Sequence, residues 1–296
     1  MFTKAVRFAL LFALSITPAG CGTALWNATP IASSSTASAA EATALSAEAN
    51  TAWAGRGDAG KVKLAIRKWE EALTKAPLKE TILTALARAY YFYGDTHLRT
   101  AGDKNGMMKF FTKGVAMGER AMMAASAEFA TRVEGGESVE DAVGSIPLSG
   151  QAAMYWYSVC IGKWANEKGF STLLRYKDRI FKVMQRVLKL DPTYFYGAPH
   201  RYFGVYYAKA PGFAGGDMRK SEEHFKKALE IAPTHLGTKV LYAEFWALKE
   251  NEEDLFRDLL NQVVKANAAD LADIEAEQQF EQAKAKQLLE NIVDSF

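Results

Sequence analysis

Four histidines (His97, His200, His224 and His235) and two cysteines (Cys21 and Cys160) are the residues whose chemistry could hold a metal or attack a substrate. Their spacing serves neither purpose, because no subset recurs at the short intervals that gather ligands around one ion. Cys160 lies among apolar residues and reads as a small buried hydrophobe. Gly215-Gly216-Asp217 followed by Lys220-Ser221 has the composition of a phosphate loop. It lacks the preceding strand and the Gly-Lys-Ser/Thr ending that such a loop needs. A glycine turn with Asp217 capping the next helix accounts for it better. No nucleophile elbow, dinucleotide turn or paired-carboxylate signature is present. The sequence therefore predicts no cofactor, no metal site and no catalytic residue, and the chain reads as a non-enzyme.

What remains suits non-covalent recognition. In His200-Arg201 the guanidinium has the fork that grips a carboxylate through two parallel hydrogen bonds. The other reading is that His200 merely fills an interhelical position, and both stay open. Aromatic residues are bunched at 90–93, 155–157, 194–196 and 202–207. Neighbours on a helix differ by about 100°, so consecutive aromatics cannot all enter one core. Tyr90, Tyr155, Trp156, Tyr207, Tyr242 and Trp246, with Lys239, His200 and Arg201, are candidate ligand or partner contacts on a groove lined with amphipathic rings. Ordinary helix packing is the competing account of each ring taken singly. The segment 210–217, with Pro211, Phe213, Gly215, Gly216 and Asp217, is long for a helix–helix turn and is a candidate lip of that groove.

These side chains have to be carried by helices. Ala65, Trp69, Ala72 and Pro77 are separated by gaps of four, three and five, and so are Ile180, Met184, Val187 and Pro192, and Ser221, Phe225, Ala228 and Pro233. Gaps of four and three put side chains on one helical face, and proline then ends the helix. Leu83, Leu86, Ala87 and Tyr90 repeat with gaps of three, one and three in His200, Phe203, Gly204 and Tyr207, and again in Lys239, Tyr242, Ala243 and Trp246. This alternation resembles the second and first helices of tetratricopeptide (TPR) repeats. It predicts an all-α, TPR-like helical-hairpin solenoid over 47–296, with an insertion near 96–107, a loop with one short helical turn at 134–147, and a final amphipathic capping helix at 274–296.

The bulk numbers agree with one such domain: 296 residues, 49% hydrophobic. The 36 basic residues nearly balance 34 acidic ones, which gives no electrostatic reason to expect nucleic acid. At the N-terminus, Lys4 and Arg7 precede a short apolar run at 8–16, too short to span a bilayer. Ala19-Gly20-Cys21 then resembles a bacterial lipoprotein signal, although Pro18 stands where a leucine-like residue is usual. The expected arrangement is a signal peptide at 1–20, lipidation at Cys21, and a flexible Ala/Ser/Thr-rich tether at 21–46. An ordinary secretory cleavage near Ala19 is the alternative. Gly22 after the cysteine resembles outer-membrane sorting.

A closer resemblance covers residues from about 67 to the end. Tyr155-Trp156-Tyr157, Gly162-Lys163-Trp164, residues 186–192 (RVLKLDP), residues 200–231 (HRYFGVYYAKAPGFAGGDMRKSEEHFKKALEI), residues 239–244 (KVLYAE) and the last helix are similar to the TPR-containing T component of periplasmic TRAP transporter systems, the TatT family. That resemblance implies an exported, membrane-tethered periplasmic protein with a TRAP-type solute-binding protein as partner. It also implies a cleft or pore for an apolar or organic-acid ligand. An envelope scaffold with no ligand is the second reading, and self-association is left open.

Overall fold

The computed structural model describes residues 36–292, and among them the chain is helical with no strand. In order, the helices are α1 (Thr36–Ala54), α2 (Ala59–Lys75), α3 (Glu80–Tyr93), α4 (Lys104–Ala125), α5 (Ala127–Glu134), α6 (Val139–Ala142), α7 (Gln151–Lys168), α8 (Phe170–Leu190), α9 (Tyr194–Lys209), α10 (Met218–Ile231), α11 (Leu236–Tyr242), α12 (Glu253–Lys265) and α13 (Glu275–Glu290). They stack as helical hairpins α1–α2, α3–α4, α7–α8, α9–α10 and α11–α12, so the all-α solenoid is the observed fold. Signal, lipidation and most of the tether fall on 1–35, outside the described residues.

Local chemistry sets the element boundaries. The side chains of Asp58, Asp103, Ser126 and Asp217 accept hydrogen bonds from the backbone N–H groups of Lys61, Gly106, Phe129 and Lys220, which would otherwise be orphaned at the helix starts. α1 begins at Thr36, inside the stretch expected to be tether. It is rich in alanine, the residue that pays least to enter a helix, and it carries no continuous apolar stripe to announce itself. The insertion near 96–107 is a single π-helical turn (Gly94–Leu98) prolonging α3, then a short loop into α4. The expected loop at 134–147 holds the end of α5, all of α6 and a 3-10 turn.

Small residues let neighbouring hairpins close up. At Gly118 on α4 an added Cβ would come within 2.8 Å of the Tyr157 Cα on α7. The core runs along the solenoid as three successive clusters rather than one ball. Phe111, Phe129, Phe225 and Phe256 are fully buried within or between them, each contributing about 1.5–3 kcal/mol by burial.

The capping helix does more than cover one end. α13 packs on α11 and α12, and Gln278 both receives the Leu236 N–H (2.9 Å) and donates to the Thr234 carbonyl (2.8 Å). Its other side reaches the first hairpins. Glu277 pairs with Arg56 (2.8 Å) and Arg88 (3.1 Å), and Phe280 meets the rings of Phe92 and His97 at 5.8 and 5.1 Å. The last helix thus ties the two ends of the solenoid together.

Candidate functional site

Two stripes on the first helices meet across the inner face. On α3 and its π turn, Thr84, Arg88, Tyr91, Asp95 and Arg99 follow gaps of four, three, four and four, so they share a face. On α7, Ala152, Trp156, Lys163 and Glu167 do the same. At the far end of the stripes, Asp95 accepts from Tyr91 Oη (3.1 Å), Arg99 (3.0 Å) and Lys163 (2.8 Å), and Arg99 also reaches Glu167 (3.3 Å). Burial alone would raise the Asp95 carboxyl, but the two cations outweigh it and hold it at about 2. α13 adds Lys284, bonded to Glu244 at 2.6 Å, and Glu281, whose carboxyl burial raises.

At the near end lies a solvent-open hollow of about 370 Å³. Its walls come from α1 (Asn50, Trp53), α2 (Trp69), α3 (Thr81, Thr84, Arg88), the start of α7 (Ala152, Trp156) and Tyr194. Arg88 is the cation of this hollow. Its guanidinium lies 5.4 Å from the Trp53 ring, 5.4 Å from Trp156 and 5.2 Å from Phe195. One nitrogen pairs with Glu277, while Nε has no acceptor among the described residues. A cation held among three ring faces gains about 0.5–2 kcal/mol per favourable face, depending on how far it is desolvated. Chemically, the arrangement offers a positive charge and flat apolar walls, with the Glu80 carboxylate beside them, accepting from Thr84 Oγ1 at 2.7 Å.

A family model described as the TRAP transporter T-component matches residues 61–296. The chain belongs to that family. No curated protein matches it. The matched region takes in α2 to α13, so this T-component forms most of the hollow from family-matched residues, while Asn50 and Trp53 on α1 precede the match.

Of the residues expected from the sequence, Trp156 lines the hollow and Tyr155 stands behind it, 5.5 Å from Tyr194 and 5.8 Å from Phe195. Arg201 is close by but buried, with its guanidinium committed to the backbone carbonyls of Phe195 and Tyr196. The others lie elsewhere. Tyr90 donates to Glu70, which also holds Lys113. His200 and His224 face each other, Nδ1 to Nδ1, at 2.9 Å, and Tyr207 stacks on His224. Burial lowers both histidines, His224 to about 4, with His200 and Lys227 adding to the effect on His224. Lys239 donates to Gln262, Tyr242 stacks on Phe225, and Trp246 Nε1 donates to the Met218 carbonyl.

The segment with Pro211, Phe213, Gly215, Gly216 and Asp217 follows the C-terminal end of α9, whereas the hollow sits at the N-terminal ends of α3, α7 and α9. It therefore does not form the lip of this hollow. Phe213 is 85% exposed there, and the neighbouring Ala214 carbonyl accepts from Tyr206 and Lys177. Trp53, Arg88, Asp95 and Glu277 were not singled out in the sequence, and Tyr91 and Lys163 entered only within the aromatic cluster 90–93 and the family-like segment 162–164. The signal that could have found those on α3 was the second stripe, 84–88–91–95, complementary to the core stripe 83–86–87–90. Among the described residues no group of three metal-type ligands occurs, and no helix is long and apolar enough to cross a membrane.

Proposed function

We propose that this T-component docks a TRAP-type periplasmic solute-binding protein and holds or passes a small organic carboxylate with a flat apolar body. The observation that carries the ligand half is Arg88 among Trp53, Trp156 and Phe195 on an open hollow of about 370 Å³. That volume is within the range of small-molecule sites, which pair apolar walls with a few orienting polar groups. Arg88 would take the carboxylate and the rings would take the body, with Asn50, Thr84 and Ser149 as polar contacts at the rim. Family membership supports the partner half, since a component of a TRAP transport system works beside its other components. Lipidation at Cys21 and a periplasmic, outer-membrane-tethered position belong to the same proposal and rest on the N-terminal sequence.

A ligand-free scaffold is the competing reading, and Glu277 favours it by already standing at Arg88 as an internal anion. Intrinsic tryptophan fluorescence separates the two, because Trp53, Trp69 and Trp156 surround the hollow. Titration with benzoate should quench wild type saturably, and Arg88→Leu should weaken binding at least tenfold. Absence of a saturable change with benzoate or longer aryl carboxylates would leave the scaffold reading. Crosslinking in the native envelope, read by mass spectrometry, tests the partner.

A further inference from the structure

Between α8 and α9 the backbone takes a course that L-residues avoid. Phe195, Tyr196 and Gly197 have φ values of 44°, 61° and 71°, three left-handed residues in succession. For glycine this conformation is free of steric cost, but for Phe195 and Tyr196 the Cβ crowds the following carbonyl. Two aromatic residues in this state persist only where surrounding contacts over-determine them.

Those contacts converge from several elements. Arg201, one turn into the regular part of α9 and 6% exposed, donates Nη2 to the Phe195 carbonyl at 2.8 Å and Nη1 to the Tyr196 carbonyl. The Gly197 N–H closes onto the Thr193 carbonyl at 3.0 Å. Gly197 itself has a φ that strains any L side chain, and a Cβ there would lie a tight 3.3 Å from the Ala228 Cα. Tyr196 sends its hydroxyl to Asp273 at 2.5 Å and its ring towards His235 at 5.7 Å. The result is a division of neighbouring aromatics. Tyr194 lines the hollow, Phe195 is turned onto Trp156 (5.3 Å) and under Arg88 (5.2 Å), and Tyr196 points to the segment before α13. Successive residues in a right-handed turn would project about 100° apart in the opposite sense, and Phe195 would leave Arg88.

We propose that Arg201 is a positioning residue: its guanidinium locks the left-handed turn so that Phe195 becomes the third ring on Arg88, the cation of the hollow. This rests on the hollow being the ligand site. The planar fork matters as well as the charge, because two carbonyls on successive residues are held by two nitrogens of one rigid group. Lysine's three N–H donors radiate from one nitrogen and do not reproduce the two-nitrogen fork that meets both carbonyls.

The test uses the full chain and three variants: Arg201→Lys, Tyr196→Asn, and the two combined. Asparagine tolerates the left-handed region, and the change leaves the Phe195 ring in place. Hydrogen–deuterium exchange of the peptide spanning 193–198 reads the turn without any ligand, and benzoate titration by tryptophan fluorescence reads the site. Arg201→Lys should speed exchange at the turn at least tenfold and weaken benzoate at least fivefold. Adding Tyr196→Asn should recover most of both losses, which a merely structural role for Arg201 would not allow. Tyr196→Asn alone should leave exchange and benzoate affinity within twofold of wild type, and should Arg201→Lys fail to fold, the double variant read against Tyr196→Asn decides the matter. Unchanged exchange in Arg201→Lys, or a turn loosened by Tyr196→Asn alone, overturns the proposal. If wild type does not bind benzoate while the exchange results hold, the ligand reading fails and the lock on the turn stands.

Discussion

Glu119 gives the sharpest quantitative test of the packing. It lies on α4, is 1% exposed, and neither carboxylate oxygen has a hydrogen-bond partner among the described residues. Burial pushes its carboxyl up to about 7, with Arg179 pulling the other way, and Arg179 Nε is already bonded to Glu140 at 2.8 Å. A folded pKa above the unfolded one means the native state binds the extra proton between those two values. Stability from this group is therefore full below about pH 4.5, falls as pH rises, and levels off above about pH 7. A shift of about 2.5 units at 1.36 kcal/mol each makes the loss about 3 kcal/mol. Glu119→Gln keeps the shape and removes the charge. The variant should match wild type within about 1 kcal/mol at pH 5 and exceed it by about 3 kcal/mol at pH 8. For a domain of this size that is a gain of about 6–12 °C in melting midpoint. Thermal melts followed by circular dichroism at half-unit pH steps give the difference curve, in which other titrating groups cancel. A variant-minus-wild-type difference that is the same at pH 5 and pH 8 would refute the assignment of a neutral buried acid.

Three further outcomes follow from named contacts. Gly118→Ala places a methyl group 2.8 Å from the Tyr157 Cα, where backbone must move, and should cost about 1–3 kcal/mol in chemical denaturation. Asp95→Asn removes a carboxylate held at about 2 by Lys163 and Arg99. The depressed pKa means its contribution, about 2 kcal/mol, is present above pH 4 and lost as pH falls towards 2, so the cost of the variant should be constant from pH 5 to 8 and shrink below pH 3.5. The His200–His224 pair works in the opposite sense to Glu119: both pKa values are lowered, so the junction of α9 and α10 should weaken as pH falls from 6.5 towards 4. His224→Gln should flatten that part of the melting profile.

Much of the architecture was legible because it depends on short-range periodicity. Side chains at gaps of four and three share a helical face whatever lies around them, and a proline just beyond them keeps that helix from continuing. That is why Ala65–Trp69–Ala72 and Ser221–Phe225–Ala228 could be assigned to helices, and the tertiary structure buries each of these residues. Asp217 read as a helix cap for the same local reason, and it is one. α1 was legible only as a weak first helix, and its start at Thr36 lay in the expected tether, because alanine makes a helix without marking a buried face.

The site was less legible. Individual aromatics were visible, but which of them meet is a question of superhelical geometry. Tyr90 and Tyr91 are adjacent in sequence, yet one turns to Glu70 and the other to Trp156. Arg88 and Glu277 are 189 residues apart and are joined only because α13 returns to the first hairpins. Arg201 had the chemistry of a carboxylate ligand, and the left-handed turn at Phe195 and Tyr196 claimed it for backbone carbonyls instead. The sequence by itself determined the helices, their order and the family, because propensity, capping and hairpin spacing act over a few residues. Only the tertiary structure decided the hollow, its cation and its third ring, since the curvature that brings them together sums small packing offsets over every hairpin.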